Sequence, residues 1–259
     1  MDKDILGNKK IAIIGNGHIG QAIAMGFITG GLKQLQVLIS NKSNNIELTK
    51  KADYIFIAVK PFIVKSVLKE IKPFIRKKIV LSVAAGVTME IIEKILGKKQ
   101  KIIRLMPNIP VSENKGVIGF FANKYISSSE KNEVESLISI LGKIIFCKKE
   151  KDTDSLTILA GCGPAISAYF IDLLSNFAVQ QGFSQGESMN MALKIFEGTI
   201  DHLKRHNLIA SELIKSVATK GGITETIVGS LYSDRVDVLF MKAMEKGNLK
   251  ISDLKNKLK

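Results

Sequence analysis

The chain has 259 residues, 46% of them apolar, and a formal net charge of +14, which leaves room for one large domain or two modest ones around a sizeable core. No apolar run reaches the roughly 20 residues of a membrane span, the opening Met1-Asp2-Lys3-Asp4 lacks the apolar stretch of a secretory signal, and two cysteines, Cys147 and Cys162, supply neither a disulfide framework nor zinc spacing; the expectation is a cytoplasmic protein without a membrane. The charge is lopsided, with 25 Lys and Arg against 12 Asp and Glu in residues 1–150, and 13 against 12 thereafter.

Short runs rich in β-branched residues predict strands at Ile11–Ile14, Val37–Ser40, Tyr54–Val59, Ile79–Val83, Ile102–Met106, Gly116–Phe121 and Ile144–Cys147. Amphipathic stretches between them predict helices at His18–Thr29, Pro61–Ile71, Met89–Leu96 and Ser129–Leu141. Pro61 suits a first helical turn, and Thr88 suits a cap for a helix with Ile91, Ile92 and Ile95 on one side. Strands alternating with helices indicate a mostly parallel, doubly wound α/β sheet over residues 1–150. After Glu150 the pattern is helical throughout. A long apolar stretch from Asp154 to Gln181 is interrupted at Gly161-Cys162-Gly163-Pro164, and Ser184 and Glu187 have capping-box spacing ahead of Met189–His206. Further helices are predicted at Ser211–Ala218, Ile223–Leu231, Val236–Lys246 and Ile251–Leu258. Residues 151–259 therefore read as an all-helical second domain, whose apolar load calls for a face covered by another subunit.

Gly15-Asn16-Gly17-His18-Ile19-Gly20 follows a predicted strand and opens a predicted helix. Glycines at this spacing give a tight turn, close backbone approach to a pyrophosphate, and close helix–strand packing, and the helix N-terminus offers N–H groups to the anion. At the end of the second strand, where an acid would bind a ribose 2′-hydroxyl, stand Ser40-Asn41-Lys42. A hydroxyl, an amide and a cation suit a 2′-phosphate, so the cofactor is expected to be NADP(H), with NAD(H) as the alternative. Thr219-Lys220-Gly221-Gly222-Ile223-Thr224 is a second candidate anion cradle, with backbone N–H groups at the head of a helix. His202 and His206 lie four apart, yet no nearby Glu or Cys completes a set and HLKRH is not the zincin pattern, so the pair reads as a solvated face with no metal. The lysine pairs, such as Lys9-Lys10 and Lys148-Lys149, fall at element junctions without interleaved aromatics, so no nucleic-acid surface is expected.

Six blocks in order resemble the Δ1-pyrroline-5-carboxylate reductase family across nearly the whole chain. They are the glycine loop, Ala58-Val59-Lys60-Pro61, Ser82-Val83-Ala84-Ala85-Gly86-Val87-Thr88, Arg104-Leu105-Met106-Pro107-Asn108-x-Pro110, Gly161-x-Gly163-Pro164-Ala165 and Gly221-Gly222-x-Thr224. The resemblance implies a Rossmann domain (1–150) followed by a helical dimerisation and substrate domain (151–259), often assembled into rings of dimers. It implies NADPH-dependent reduction of L-1-pyrroline-5-carboxylate, a cyclic imine carboxylate, to L-proline. It places Ala58, Val59, Lys60, Ala84 and Asn108 with the glycine loop at the cofactor, Thr219, Gly221, Gly222 and Ile223 at the substrate, and Thr224 at the ring nitrogen. The chain departs from the family at Ile109, Ile166, Lys220 and Ile223, which keeps a second reading open: a non-catalytic or cofactor-sensing homologue, or a reductase of another imine. The connection from Asn41 to Asp53 is shorter than the family's, which implies that its helix is nearly lost. If Lys42 reads a 2′-phosphate, Lys42→Ala should weaken NADPH binding by about 1–2 kcal/mol and leave NADH binding unchanged; equal losses in a fluorescence titration would refute that role.

Overall fold

The structure is a computed structural model that describes residues 7–41 and 43–258, so Met1–Asp4 and Lys42 lie outside the described residues. Seven strands, β1 (Ile11–Ile14), β2 (Val37–Ile39), β3 (Tyr54–Ile57), β4 (Ile79–Ser82), β5 (Ile102–Met106), β6 (Gly116–Ala122) and β7 (Gly142–Phe146), form one sheet in the order β2-β1-β3-β4-β5-β6-β7. All neighbours run parallel except β5 and β6, which pair antiparallel with Arg104 opposite Phe121. β1 lies between β2 and β3, so the chain winds outward on both sides of it and the strand order reverses there.

The period of two along each strand builds two cores. Ile11, Ile13, Tyr54, Phe56, Leu81, Ile103 and Leu105 face α1 (His18–Thr29) and the later helix Ser128–Ser139, with Phe27 edge-on to Phe56 at 5.7 Å. Ala12, Ile14, Ile55, Ile57, Val80 and Ile102 face the opposite layer: α2 (Asn45–Lys51), α3 (Val64–Ile71) and α4 (Met89–Leu96). The expected cap on α4 is present, since Thr88 Oγ1 accepts from Ile91 N–H at 3.3 Å.

Helix α5 (Ser128–Ser139) carries a capping box between Ser127 and Glu130 that the sequence reading did not use. Then come α6 (Asp152–Leu156), a π-helical turn over Thr157–Gly161, α7 (Gly163–Gln180), α8 (Gln185–His206) with the expected Ser184–Glu187 box, α9 (Ala210–Val217), α10 (Ile223–Ser233) and α11 (Val236–Leu258).

Four expectations are corrected. The helix between β2 and β3 is retained as α2, because Leu48 and Ala52 bury against the sheet and Glu47 and Lys51 pair along its exposed side. Pro61 opens a 3-10 turn, Pro61–Ile63, and α3 begins only at Val64. The two helices expected after Val236 are one, α11. Gly247 sits inside it, where a Cβ would make ordinary contact with the Ile158 side chain at 3.4 Å, and the helix continues despite the roughly 1 kcal/mol of propensity that glycine forgoes. Finally, α6, the π turn and α7 together make a 29-residue helical stretch, Asp152–Gln180, of mean hydropathy 1.5, long and apolar enough by length and composition to cross a membrane. The expected interruption at Gly161-Cys162-Gly163-Pro164 is present as a bend at Cys162, between the π turn that ends at Gly161 and α7 that starts at Gly163.

The chain forms two compact units, Met1–Pro164 with Gly247–Lys259, and Ala165–Lys246. The composition changes near Glu150, but the first unit takes in the residues up to Pro164 and the end of α11, because Ile158, Leu254 and Leu258 pack into it. The second unit is helical and has almost no interior of its own. Among its residues only Ser175, Ser188 and Ala192 are buried, while Tyr169, Phe177 and Met241 are each at least 60% exposed.

In the first unit Arg104, 2% exposed on β5, is paired with Glu150 and lies 3.9 Å from Asp154, which Lys255 of α11 also pairs. Glu150 in addition accepts the Met89 N–H at 2.6 Å. Arg104→Leu should cost about 3 kcal/mol of unfolding free energy by leaving Glu150 and Asp154 without their buried cation. A urea midpoint unchanged at constant slope would show that these charges are solvated instead.

Candidate functional site

The glycine loop stands at the carboxyl end of β1, where the strand order reverses. Gly15 has φ +122°, and a Cβ on it would fall 2.4 Å from the Ala58 carbonyl oxygen, so β1 and β3 close on each other only with glycine here. Gly20 is buried, and a Cβ on it would fall 2.1 Å from the Gly15 carbonyl oxygen, so only glycine lets α1 seat this closely on the loop. Gly17 is the N-cap of α1 and makes no side-chain cap, and the first turn of the helix has no acid. A Cβ at Gly17 would meet nothing within 4 Å. The N-terminus of α1 thus presents its N–H groups and positive dipole end to open space, which fits a dinucleotide pyrophosphate.

That space is a cleft of about 680 Å³. Of the residues expected at the cofactor, Gly15, Asn16, Gly17, Ser40, Ala58, Val59 and Lys60 line it. The sequence reading missed the rest of the wall: Asn45 of α2, and Phe62, Ile63, Ser66, Val67 and Glu70 on one face of the 3-10 turn and α3. Their spacing of three and four from Val59 onward was the available signal. Ser40 is buried and donates its hydroxyl to Asn45 Oδ1 at 2.5 Å, and Asn45 Nδ2 donates to Glu70 Oε2 at 3.0 Å. Lys60 Nζ lies 6.0 Å from the centre of the exposed Phe62 ring.

The other expected cofactor residues fall outside the cleft lining. His18 and Ile19 form the first turn of α1, with His18 exposed and Ile19 packed against the sheet. Asn41 shapes the loop after β2, its side-chain oxygen accepting from Ser43 N–H at 3.2 Å. Ala84, 4% exposed, belongs to the core under α4. Asn108 is buried with both ends of its amide engaged, donating to the Ala160 carbonyl at 3.1 Å and accepting from Val117 N–H at 2.8 Å.

In the second unit, the expected substrate residues form one turn ahead of α10. Gly221 has φ +76°, Gly222 is the N-cap without a side-chain cap, and Gly222 N–H closes the turn on the Thr219 carbonyl at 2.9 Å. Thr219, Lys220 and Ile223 are exposed and Thr224 is half-buried. A Cβ on Gly222 would stand 2.7 Å from Thr219 Oγ1. Gly221 N–H is already engaged, donating to Glu225 Oε2 at 2.6 Å, so an incoming anion finds the N–H groups that open α10 rather than that of Gly221. His202 and His206 are exposed with rings 4.4 Å apart, and among the described residues no cluster of three potential metal ligands occurs.

A family model for pyrroline-5-carboxylate reductase dimerisation matches residues 150–254, and a model for coenzyme F420-dependent NADP oxidoreductases matches residues 33–86. A pyrroline-5-carboxylate reductase of Aquifex aeolicus is 34% identical over 231 residues, spanning 83% of this chain and 86% of the relative. The crystal structure of Plasmodium falciparum pyrroline carboxylate reductase with NADP bound superposes with a TM-score of 0.89 at 30% identity, covering 96% of this chain and 98% of that one. A Coxiella burnetii pyrroline-5-carboxylate reductase gives 0.82 at 28% identity over 96% and 99%. Residues 150–254, the segment matched by the dimerisation model, include the exposed apolar faces of α7 and its neighbours. With the glycine loop at the switch point of the sheet and a helical dimerisation segment after it, the chain belongs to the pyrroline-5-carboxylate reductase family.

Proposed function

We propose that this chain reduces L-1-pyrroline-5-carboxylate to L-proline with NADPH, the last step of proline biosynthesis. The observation that carries this reading is the uncapped N-terminus of α1 opening on the dinucleotide cleft, in a chain 34% identical to a named reductase of this substrate. Functionally, residues 1–150 are the coenzyme domain and residues 151–259 the dimerisation and substrate domain.

NADPH, when bound, supplies the hydride that the imine carbon receives. The protein's part is to hold and orient. The loop Gly15–Gly20 takes the pyrophosphate on α1, and Ile63 of the 3-10 turn with Val67 of α3 offers apolar surface to a base. The first N–H groups of α10, from Ile223 onward, take the substrate carboxylate, with Gly222 leaving room for its approach and Thr219 beside them. Thr224 hydrogen-bonds the ring nitrogen, the atom that gains a proton as the imine becomes an amine. The partners in this reading are a small cyclic imine carboxylate and further copies of the chain, with dimers assembled into rings, in the cytoplasm; nucleic acid and membrane play no part. Glu225 on the Gly221 N–H favours a second reading, in which the substrate is a different imine, because an acid at this place opposes a carboxylate.

Thr224→Ala should lower kcat/KM for pyrroline-5-carboxylate by about 10-fold or more, one lost hydrogen bond in the transition state, with NADPH affinity unchanged. Gly222→Val, which collides with Thr219, should abolish substrate binding. Full turnover in both variants, followed by coenzyme oxidation, would move the substrate site elsewhere, and turnover of other cyclic imines in preference would select the second reading. Light scattering should give an even multiple of the chain mass larger than two; a mass of two would limit the assembly to the dimer.

A further inference from the structure

We propose that Glu70 sets the choice between the coenzyme with a 2′-phosphate and the one without it, acting against the phosphate. This rests on the coenzyme reading above. Ser40 stands at the carboxyl end of β2, so a dinucleotide on the glycine loop places its adenosine ribose over this end of the sheet. The cleft wall there is built from three residues of different elements. Ser40 donates its hydroxyl to Asn45 Oδ1 at 2.5 Å, and Asn45 Nδ2 donates to Glu70 Oε2 at 3.0 Å. The amide has one workable orientation. Turned over, it would set its oxygen against the Glu70 carboxylate, while Ser40 accommodates either end. Asn45 is 6% exposed and cannot swing away, so Glu70 is tied to the β2 end of the cleft although its carboxylate is open to solvent.

The charges along this wall then decide the matter. Among the described residues that line the cleft, Glu70 is the one acid and Lys60 the one base. Lys60 belongs to the 3-10 turn after β3, beside Phe62, while Glu70 is joined to the end of β2. A 2′-phosphate carries close to two negative charges at neutral pH and is repelled by a carboxylate on the same wall, through partly screened solvent. An unphosphorylated ribose brings a hydroxyl instead, which a carboxylate accepts. The hydroxyl of Ser40, a group the sequence assigned to the phosphate, is spent on Asn45. Glu70 thus narrows the gap between the two coenzymes rather than widening it, and it does so from α3, a position that inspection of the β2 end alone does not reach.

The test is a titration of NADPH and NADH into the full-length protein, read by nicotinamide fluorescence, for the unaltered chain, Glu70→Gln and Glu70→Lys. Glu70→Gln keeps an oxygen for the Asn45 NH₂ group and removes the charge. It should bind NADPH about 5-fold tighter, with NADH unchanged or weaker, and the gain should shrink as salt is raised. Glu70→Lys should extend the gain. An NADPH-to-NADH affinity ratio unmoved in both variants overturns the proposal while leaving the coenzyme reading intact. A ratio that moves independently of salt overturns it as well. An unaltered chain that binds neither coenzyme overturns both together.

Discussion

A guanidinium taken out of water in the middle of a sheet needs partners, and the partners of Arg104 organise the first unit. Burying an unpaired cation costs several kcal/mol, so the chain must bring carboxylates to β5. It brings Glu150 from the segment just before α6 and holds Asp154 close by. Each carboxylate then recruits something else: Glu150 the backbone at the head of α4, Asp154 the ammonium of Lys255 near the end of α11. Three elements distant in sequence are thereby fixed to one strand. Asn108, just past the same strand, adds a buried amide bridge from Ala160 to Val117. The Asn108 side chain, at the carboxyl end of β5, is thus part of this frame.

The two units solve the problem of apolar surface in opposite ways. The first folds its strands between two helical layers and hides Ile, Leu, Val and Phe on both faces. The second leaves its large side chains facing outward along α7, α8 and α11. Tyr169, Phe170 and Phe240 form one small aromatic group within it, with ring centres 5.7 and 6.2 Å apart. A surface of this kind gains hydrophobic stabilisation wherever a partner covers it. The same surface gives the Asp152–Gln180 stretch its membrane-like hydropathy.

What was legible in the sequence was local. Strands buried on both faces show as unbroken β-branched runs, and caps such as Thr88 and Ser184 need only their own helix, so both were readable to within a residue or two. The glycine loop was legible because its chemistry is backbone chemistry. Contacts that pair distant elements were not. Nothing around Asn45 or Glu70 announces that α2 and α3 meet at a cofactor wall, and nothing around Arg104 announces two carboxylates about fifty residues on. The gap expected between Lys246 and Ile251 is helical instead, with Gly247 inside α11 beside the Ile158 side chain. Glu225 escaped notice because its bond to Gly221 depends on the left-handed turn at that glycine.

The last turns of α11 close the core of a unit that begins some 250 residues earlier, with Leu254 and Leu258 resting where a Cβ on Gly86 would stand 3.0 Å from Leu254. During synthesis all seven strands therefore emerge before the helical unit, while the core beside Gly86 lacks Leu254 and Leu258 until the end of α11 is free of the exit tunnel. The exposed helices have that interval in which to find a second nascent or finished chain. Order of assembly is written into the connectivity: the surface that needs a partner is available before the nucleotide-binding half is sealed.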